Sequence, residues 1–262
     1  MQMLGVRIDN VSMTETLEKI REFLSDGRQH HIVTPNPDFL LKAQKDEEFR
    51  EILNKSDLSL PDGFGLICAS WFLGERLKGR VVGVDLIEKL KTHVIATPPL
   101  ASGGGSNPVD IGQARDRHAP SELAMTNTKI FLLGGFNGAA EKIALDWPAV
   151  VGFSEDADGP ELFARIRECQ PNILLVALGA PKQEKWIAQN LNKIPSVKVA
   201  IGVGSAFNIF SGQIKRAPRI FLALGLEWLW RLFREPRRWR KAWRSVVVFP
   251  LMVLKSKKEA PI

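Results

Sequence analysis

Asp62 stands between Pro61 and Gly63, which tightly constrain its backbone. An aspartate in such a turn makes an Asx-type hydrogen bond to its own backbone or, in the right company, serves as a base for proton transfer. Thr34 and Asn36, in Thr34-Pro35-Asn36-Pro37, are neutral donors and acceptors suited to sugar hydroxyls. Leu133-Gly134-Gly135-Phe136-Asn137-Gly138 runs into a helical segment, where backbone N–H groups and the helix dipole suit a phosphate. Its spacing is neither G-x-G-x-x-G nor a P-loop, so an ordinary βα turn is an equal reading. Two further turns of this kind are Leu178-Gly179-Ala180-Pro181-Lys182-Gln183 and Gly202-Val203-Gly204-Ser205. Gln183 and Glu184 begin a helix and read as caps or as nucleotide contacts. Asp156-Ala157-Asp158 has the form of a divalent-cation ligand, but in a loop such a pair is more often a solvated turn. His30, His31, His93 and His118 have neither metal-ligand nor triad spacing, so no metal site is expected.

Five such turns converge only if an open parallel sheet holds them, because ligands there bind beyond the carboxyl ends of the strands. The chain supports that sheet. Strands are expected at 4–8, 31–33, 58–60, 129–133, 149–153, 173–177 and 197–203, and helices at 39–45, 47–54, 138–145, 160–169 and 183–191. Ser12-Met13-Thr14-Glu15 is a capping box opening another helix through Leu17, Ile20 and Leu24. Alternation of this kind predicts an α/β fold with a mostly parallel sheet and helices on both faces. Residues 97–127 carry Pro-Pro, Gly-Gly-Gly and Asn-Pro without a sustained period, and are expected to form an irregular surface excursion.

The 262 residues suffice for a substantial core, and 45% hydrophobic with 25% charged residues excludes a disordered scaffold. Cys68 and Cys169 cannot form a disulfide framework, and Met1 to Asp9 lacks the pattern of a signal peptide, so a reducing, cytoplasmic setting is expected. Charge divides the chain. Residues 215–262 hold 13 Lys/Arg against 3 Asp/Glu, whereas 1–214 hold 23 against 26. Four of the seven tryptophans (Trp228, Trp230, Trp239 and Trp243) also lie in the basic stretch, a composition suited to an anionic membrane or to nucleic acid. Leu222, Leu226, Leu229 and Phe233 fall on one helical stripe, and Trp239, Trp243 and Val246 continue it after Pro236. This predicts a helix lying in a membrane interface; the same stripe also suits packing on the body or a homo-oligomer contact. The apolar run from Val246 to Leu254 has nine residues and includes Pro250, too short for a spanning helix of about 20.

Taken in order, these segments resemble the WecG/TagA/CpsF family of bacterial glycosyltransferases. The resemblance rests on Val33-Thr34-Pro35-Asn36-Pro37, Pro61-Asp62-Gly63-Phe64-Gly65, Arg80 with Gly83-Val84-Asp85-Leu86, and Phe131-Leu132-Leu133-Gly134-Gly135. It continues through Leu178 to Glu184, Gly202-Val203-Gly204, Arg216-Ala217-Pro218, Gly225-Leu226-Glu227-Trp228-Leu229 and Glu235-Pro236-Arg237-Arg238. The resemblance implies a Rossmann-like core (1–214) with a basic helical C-terminal appendage (215–262) that helps complete the site. It implies an inverting hexosyltransferase that moves a sugar (N-acetylmannosamine-type, uronic acid or hexose) from a UDP-sugar to a polyprenyl-diphosphate-linked saccharide. The setting it implies is the inner face of the cytoplasmic membrane, in synthesis of teichoic acid linkage units, enterobacterial common antigen or exopolysaccharide. Carried over residue by residue, Asp62 is the base, and Thr34, Asn36, Arg80 and Gln183 share the catalytic site. Gly134, Gly135, Gly138, Gly202, Gly204 and Asn208, with the appendage arginines Arg231, Arg237, Arg238 and Arg240, fall at the nucleotide. Asn208 stands where the family usually has aspartate.

An inverting transfer needs one base for the acceptor hydroxyl and cations or N–H groups for the departing diphosphate. Asp62 fits the first need; Arg80, the appendage arginines and the 134–138 turn fit the second, so no cofactor and no divalent cation are expected. Two rival readings are weaker. A nucleic-acid-binding protein would need a helix-turn-helix, zinc-finger or RNA-recognition signature, and nucleic acid is not an expected partner. A Rossmann oxidoreductase would need the dinucleotide glycine spacing and its ribose-binding acid.

Overall fold

The structure, a computed structural model, describes residues 1–95, 125–126 and 128–259. Its strands are β1 (Gln2–Met3), β2 (Val6–Arg7), β3 (His30–Val33), β4 (Leu58–Ser59), β5 (Val94–Ile95), β6 (Met125–Thr126), β7 (Ile130–Gly134), β8 (Val150–Ser154), β9 (Ile173–Ala177) and β10 (Val199–Gly202). Six of them form one all-parallel sheet in the order β4-β3-β10-β9-β7-β8. This is the α/β fold with a parallel sheet expected from the alternation, and the Rossmann-like core that the family resemblance implies. β7, β9 and β10 are buried along their whole length, so they read as continuous apolar runs rather than as alternating ones.

Successive side chains of a strand point to opposite faces, and both faces are covered. Ile130, Leu132, Ile173, Leu175, Val199 and Ile201 pack under the helices Met13–Ser25, Gly83–His93, Ala139–Asp146 and Ala206–Phe210. Phe131, Leu133, Leu174, Val176 and Ala200 pack under Leu162–Cys169 and Lys182–Asn190. The expected capping box is present. The Ser12 amide donates to Glu15 Oε2 at 2.8 Å, and the Glu15 amide donates to Ser12 Oγ at 3.2 Å.

Two expectations are corrected. Residues 4–8 do not form one strand: Leu4 and Gly5 take positive φ (50° and 73°) and turn β1 back onto β2. The stripe of Leu222, Leu226, Leu229 and Phe233 does not lie on one helix. The chain breaks between the helices Arg219–Ala223 and Glu227–Arg234, where Gly225 takes φ 71° and leaves no room for a Cβ against the Phe64 ring. Farther on, the helical run Trp239–Trp243, Arg244–Val248 and Phe249–Glu259 turns inward through Phe249 (0% exposed) and Val253 (3%). Both join Val33, Phe39, Leu40, Leu66 and Ala69 in a core cluster of their own, so the basic stretch packs on the body. Trp239, Trp243 and Val246 remain exposed. The excursion expected at 97–127 lies outside the described residues except for β6, which pairs with β5.

Candidate active site

The chain leaves β3 toward β4 and reaches β10 from β9. The segments that follow β3, β4, β9 and β10 meet beyond the carboxyl ends of these strands, where open parallel sheets bind ligands, and leave a crevice there. A cavity of about 770 Å³ fills that crevice and extends beneath the basic stretch. Its size suits a substrate-sized ligand.

Thr34, Asn36, Asp62, Arg80, Gly204 and Arg231 are brought together in its wall. Asp62 follows β4; its amide donates to the Pro35 carbonyl at 2.9 Å, and the Val81 amide donates to the Pro61 carbonyl at 2.8 Å. These bonds lock the turn to the loop after β3 on one side and to the segment carrying Arg80 on the other. Thr34 is buried and donates to the Gly202 carbonyl at 2.8 Å, stitching β3 to β10. Asn36 caps the helix Pro37–Ala43 by accepting from the Asp38 and Phe39 amides. Both polar side chains thus set the shape of the loop as well as lining the cavity.

Burial pushes the Asp62 carboxyl up to about 7, and the Glu227 carboxylate adds to the rise. Arg231, Arg80 and Lys241 pull in the other direction without cancelling it. A base with this value is half ionised at neutral pH, the range in which a carboxylate transfers protons effectively. Arg231 pairs with Glu227 at 2.8 Å and donates to Ser205 Oγ at 3.3 Å; Arg80 donates to the Leu222 carbonyl at 3.1 Å. Both guanidiniums are therefore held against the basic stretch beside the acid.

Other candidates lie elsewhere. Gln183 is fully buried and outside the cavity wall, where its Oε1 accepts from the Gly179 and Gly204 amides at 3.2 and 3.0 Å. It acts by fixing two loops that do face the cavity. Gly202 must be glycine here, because a Cβ would lie 2.5 Å from Gln183 Nε2 and 2.9 Å from Glu184 Oε1. Glu184 is buried as well, its carboxyl pushed up to about 7 by desolvation. Gly134, Gly135 and Gly138 lie at the same sheet edge but do not line the cavity; the Gly135 amide donates to the Ala177 carbonyl at 3.2 Å. Asn208 is buried within the helix Ala206–Phe210, also off the wall. Arg237 and Arg240 are exposed, Arg240 stacking over Trp239 at 5.5 Å; the Arg238 side chain lies outside the described residues. Asp156 is occupied in its own turn, accepting from the Asp158 amide at 2.9 Å. Among the described residues no group of three or more His, Cys, Asp or Glu side chains could hold a metal ion.

Several cavity residues escape sequence reasoning: Asp38, Lys42, Glu227, Lys241 and Ser245. Glu227 has a signal, since it falls in the Gly225–Leu229 motif, but helical periodicity assigns it to a solvated face. Lys42 and Lys241 are almost 200 residues apart in sequence and have no local signature.

The profile described as glycosyl transferase WecG/TagA/CpsF family matches residues 1–115 and 117–261. A Bacillus subtilis (strain 168) protein named N-acetylglucosaminyldiphosphoundecaprenol N-acetyl-beta-D-mannosaminyltransferase is 29% identical over 258 residues, 95% of this chain and 89% of its own. Proteins of the same name from Staphylococcus aureus (strain MRSA252) and Bacillus spizizenii are 30% and 29% identical, covering 98% and 84% of this chain and 92% and 77% of theirs. With the profile spanning nearly every residue, the chain belongs to the WecG/TagA/CpsF family of glycosyltransferases.

Proposed function

We propose that the protein transfers an N-acetylmannosamine-type sugar from a UDP-sugar to a saccharide linked through diphosphate to a polyprenyl lipid, with inversion at the anomeric carbon. The observation that carries this reading is that Asp62 shares a cavity wall with Arg80 and Arg231, whose charges act on it, while much of the remaining wall is apolar. Ionised Asp62 takes the proton of the acceptor hydroxyl as its oxygen bonds to the anomeric carbon. The bond from that carbon to the UDP oxygen breaks in the same step, and its electrons leave with UDP. Arg80 and Arg231 meet the charge that develops there, because guanidinium matches phosphate oxygens in a planar fork. The one base and the opposite-face attack together account for inversion.

A panel of UDP-sugars offered with an N-acetylglucosaminyl-diphosphate-lipid acceptor tests the reaction. UDP-N-acetylmannosamine is expected to give transfer that persists in EDTA. Activity lost in EDTA, restored by Mg²⁺ or Mn²⁺ and absent in Asp156→Ala/Asp158→Ala would assign the metal role to that loop. The rate is expected to rise with pH through about 7, because burial and Glu227 hold Asp62 protonated below that value. A kcat/KM profile flat from pH 6 to 8 would detach Asp62 from the proton transfer.

We also infer peripheral docking on an anionic membrane. No helix among the described residues is long and apolar enough to cross a membrane. Phe233, Trp239, Trp243 and Leu251 are each more than half exposed, and Arg237, Arg240 and Lys257 lie among them. Tryptophan at headgroup level with basic residues on anionic lipid is the pattern of an interfacial anchor. Pelleting with anionic but not neutral liposomes at low salt is expected, and no pelleting with either would remove the membrane from this reading.

A further inference from the structure

Two groups of cations stand at the cavity, and the transfer step above uses only the pair beside Asp62; in the second group Lys42 and Lys241 line the wall and Arg244 lies just off it. The second group surrounds Asp38, whose side chain is 5% exposed. Its carboxylate has Lys42 at 3.1 Å, Arg244 at 3.5 Å and Lys241 at 3.8 Å. One carboxylate thus gathers three cations, and Lys42 is held further by donating to the Ala180 carbonyl at 2.8 Å.

The position of this cluster is informative. Lys241, Ser245, Phe249 and Val253 all line the cavity at four-residue steps along one helical run. At 1.5 Å per residue they span about 18 Å. Facing them are Asp38, Phe39 and Lys42 at the polar end and Phe64, Cys68 and Phe72 toward the apolar end. The wall therefore changes from acid and arginine, through the Asp38 cluster, to hydrocarbon-lined. A ligand with sugar, diphosphate and lipid in that order fits this sequence of surfaces.

We propose that Lys42 and Lys241, organised by Asp38 with Arg244 adding its charge from behind the wall, form the subsite for the diphosphate of the lipid-linked acceptor, with Phe72, Phe249 and Val253 beside the first part of its chain. This rests on the acceptor class proposed above. Ammonium and guanidinium groups donate charge-assisted hydrogen bonds to phosphate oxygens, and Asp38 keeps the three long side chains turned to one point. The subsite would place the acceptor sugar toward Asp62 while Arg80 and Arg231 stay with the donor.

The test uses the full-length Lys241→Ala/Arg244→Ala variant in neutral detergent, without lipid vesicles. Two soluble acceptors carry the same sugar, one on a short alkyl diphosphate and one as a plain alkyl glycoside. Measured well above pH 7, where Asp62 is ionised with or without the Lys241 charge, the variant is expected to raise KM for the diphosphate acceptor about tenfold or more, with donor KM and saturating kcat held. Its preference for the diphosphate acceptor over the glycoside should collapse, and Lys241→Arg/Arg244→Lys should restore it. An unchanged acceptor KM, a raised donor KM or an equal loss on both acceptors would overturn the assignment. So would a variant that loses only its binding to anionic vesicles, since the cations would then serve a lipid surface. A wild-type enzyme inert toward every lipid-diphosphate acceptor would instead contradict the reaction itself.

Discussion

Asp62→Asn is expected to lower turnover by about two orders of magnitude or more while UDP binding stays near the wild-type value. Asparagine keeps the size of the side chain and the geometry of the turn, whose backbone is tied to Pro35 and Val81, but it cannot accept a proton. The other cavity carboxylates cannot readily substitute. Glu227 is committed to Arg231 at 2.8 Å, and Asp38 to Lys42 at 3.1 Å. Residual activity in the variant should also lose the rise through pH 7 that Asp62 imposes. Near-normal turnover would remove Asp62 from the mechanism. Titration calorimetry with UDP separates the two effects, since loss of binding would point to a structural role.

Removing the chain after Gln213 is expected to abolish transfer, even to a water-soluble acceptor, and to lower the melting temperature. The loss of activity follows from Arg231 and Glu227, which leave with the basic stretch along with one wall of the cavity. The loss of stability follows from Phe249 and Val253, which close the cluster formed by Phe39, Leu66 and Ala69. Because the chain turns inward at Phe249, the remaining body is expected to be destabilised. Phe249→Ala isolates the packing effect and should cost about 3–5 kcal/mol in denaturant unfolding. Arg231→Ala isolates the chemical effect, with a melting temperature near wild type and kcat reduced about tenfold to a hundredfold. A truncated protein that is stable and active on the soluble acceptor would reduce the stretch to an anchor.

Strands were legible wherever they were short, apolar and bounded by turn residues, as at β7, β9 and β10, because full burial leaves no polar face to confuse the pattern. The Ser12–Glu15 cap was legible because both of its hydrogen bonds are local. Thr34, Asn36, Asp62 and Gly204 could be placed at one sheet edge because each follows a strand. Other features depend on distant contacts. The helix Phe64–Leu73 has almost no polar face, and so no helical period to read. Gln183 reads as a cap or a ligand contact from its place at a helix start, whereas its carbonyl oxygen accepts from the Gly179 and Gly204 amides of two loops distant from each other in sequence. The 134–138 turn suited a phosphate by its local geometry, yet the sheet order sets β7 two strands from β10 and its turn off the cavity. The Asp38 cluster joins the helix after β3 to the far end of the chain, a convergence that no local spacing encodes.

The anomeric configuration of the product tests the central claim most directly. Full-length enzyme, UDP-N-acetylmannosamine with its α-linked donor bond and an N-acetylglucosaminyl-diphosphate-lipid acceptor are incubated, and the one-bond carbon–proton coupling at the new anomeric centre is measured by NMR. A β-linked disaccharide formed by the wild type and not by Asp62→Asn is the expected result. An α-linked product, or equal β-linked product from both proteins, would contradict a single displacement driven by Asp62.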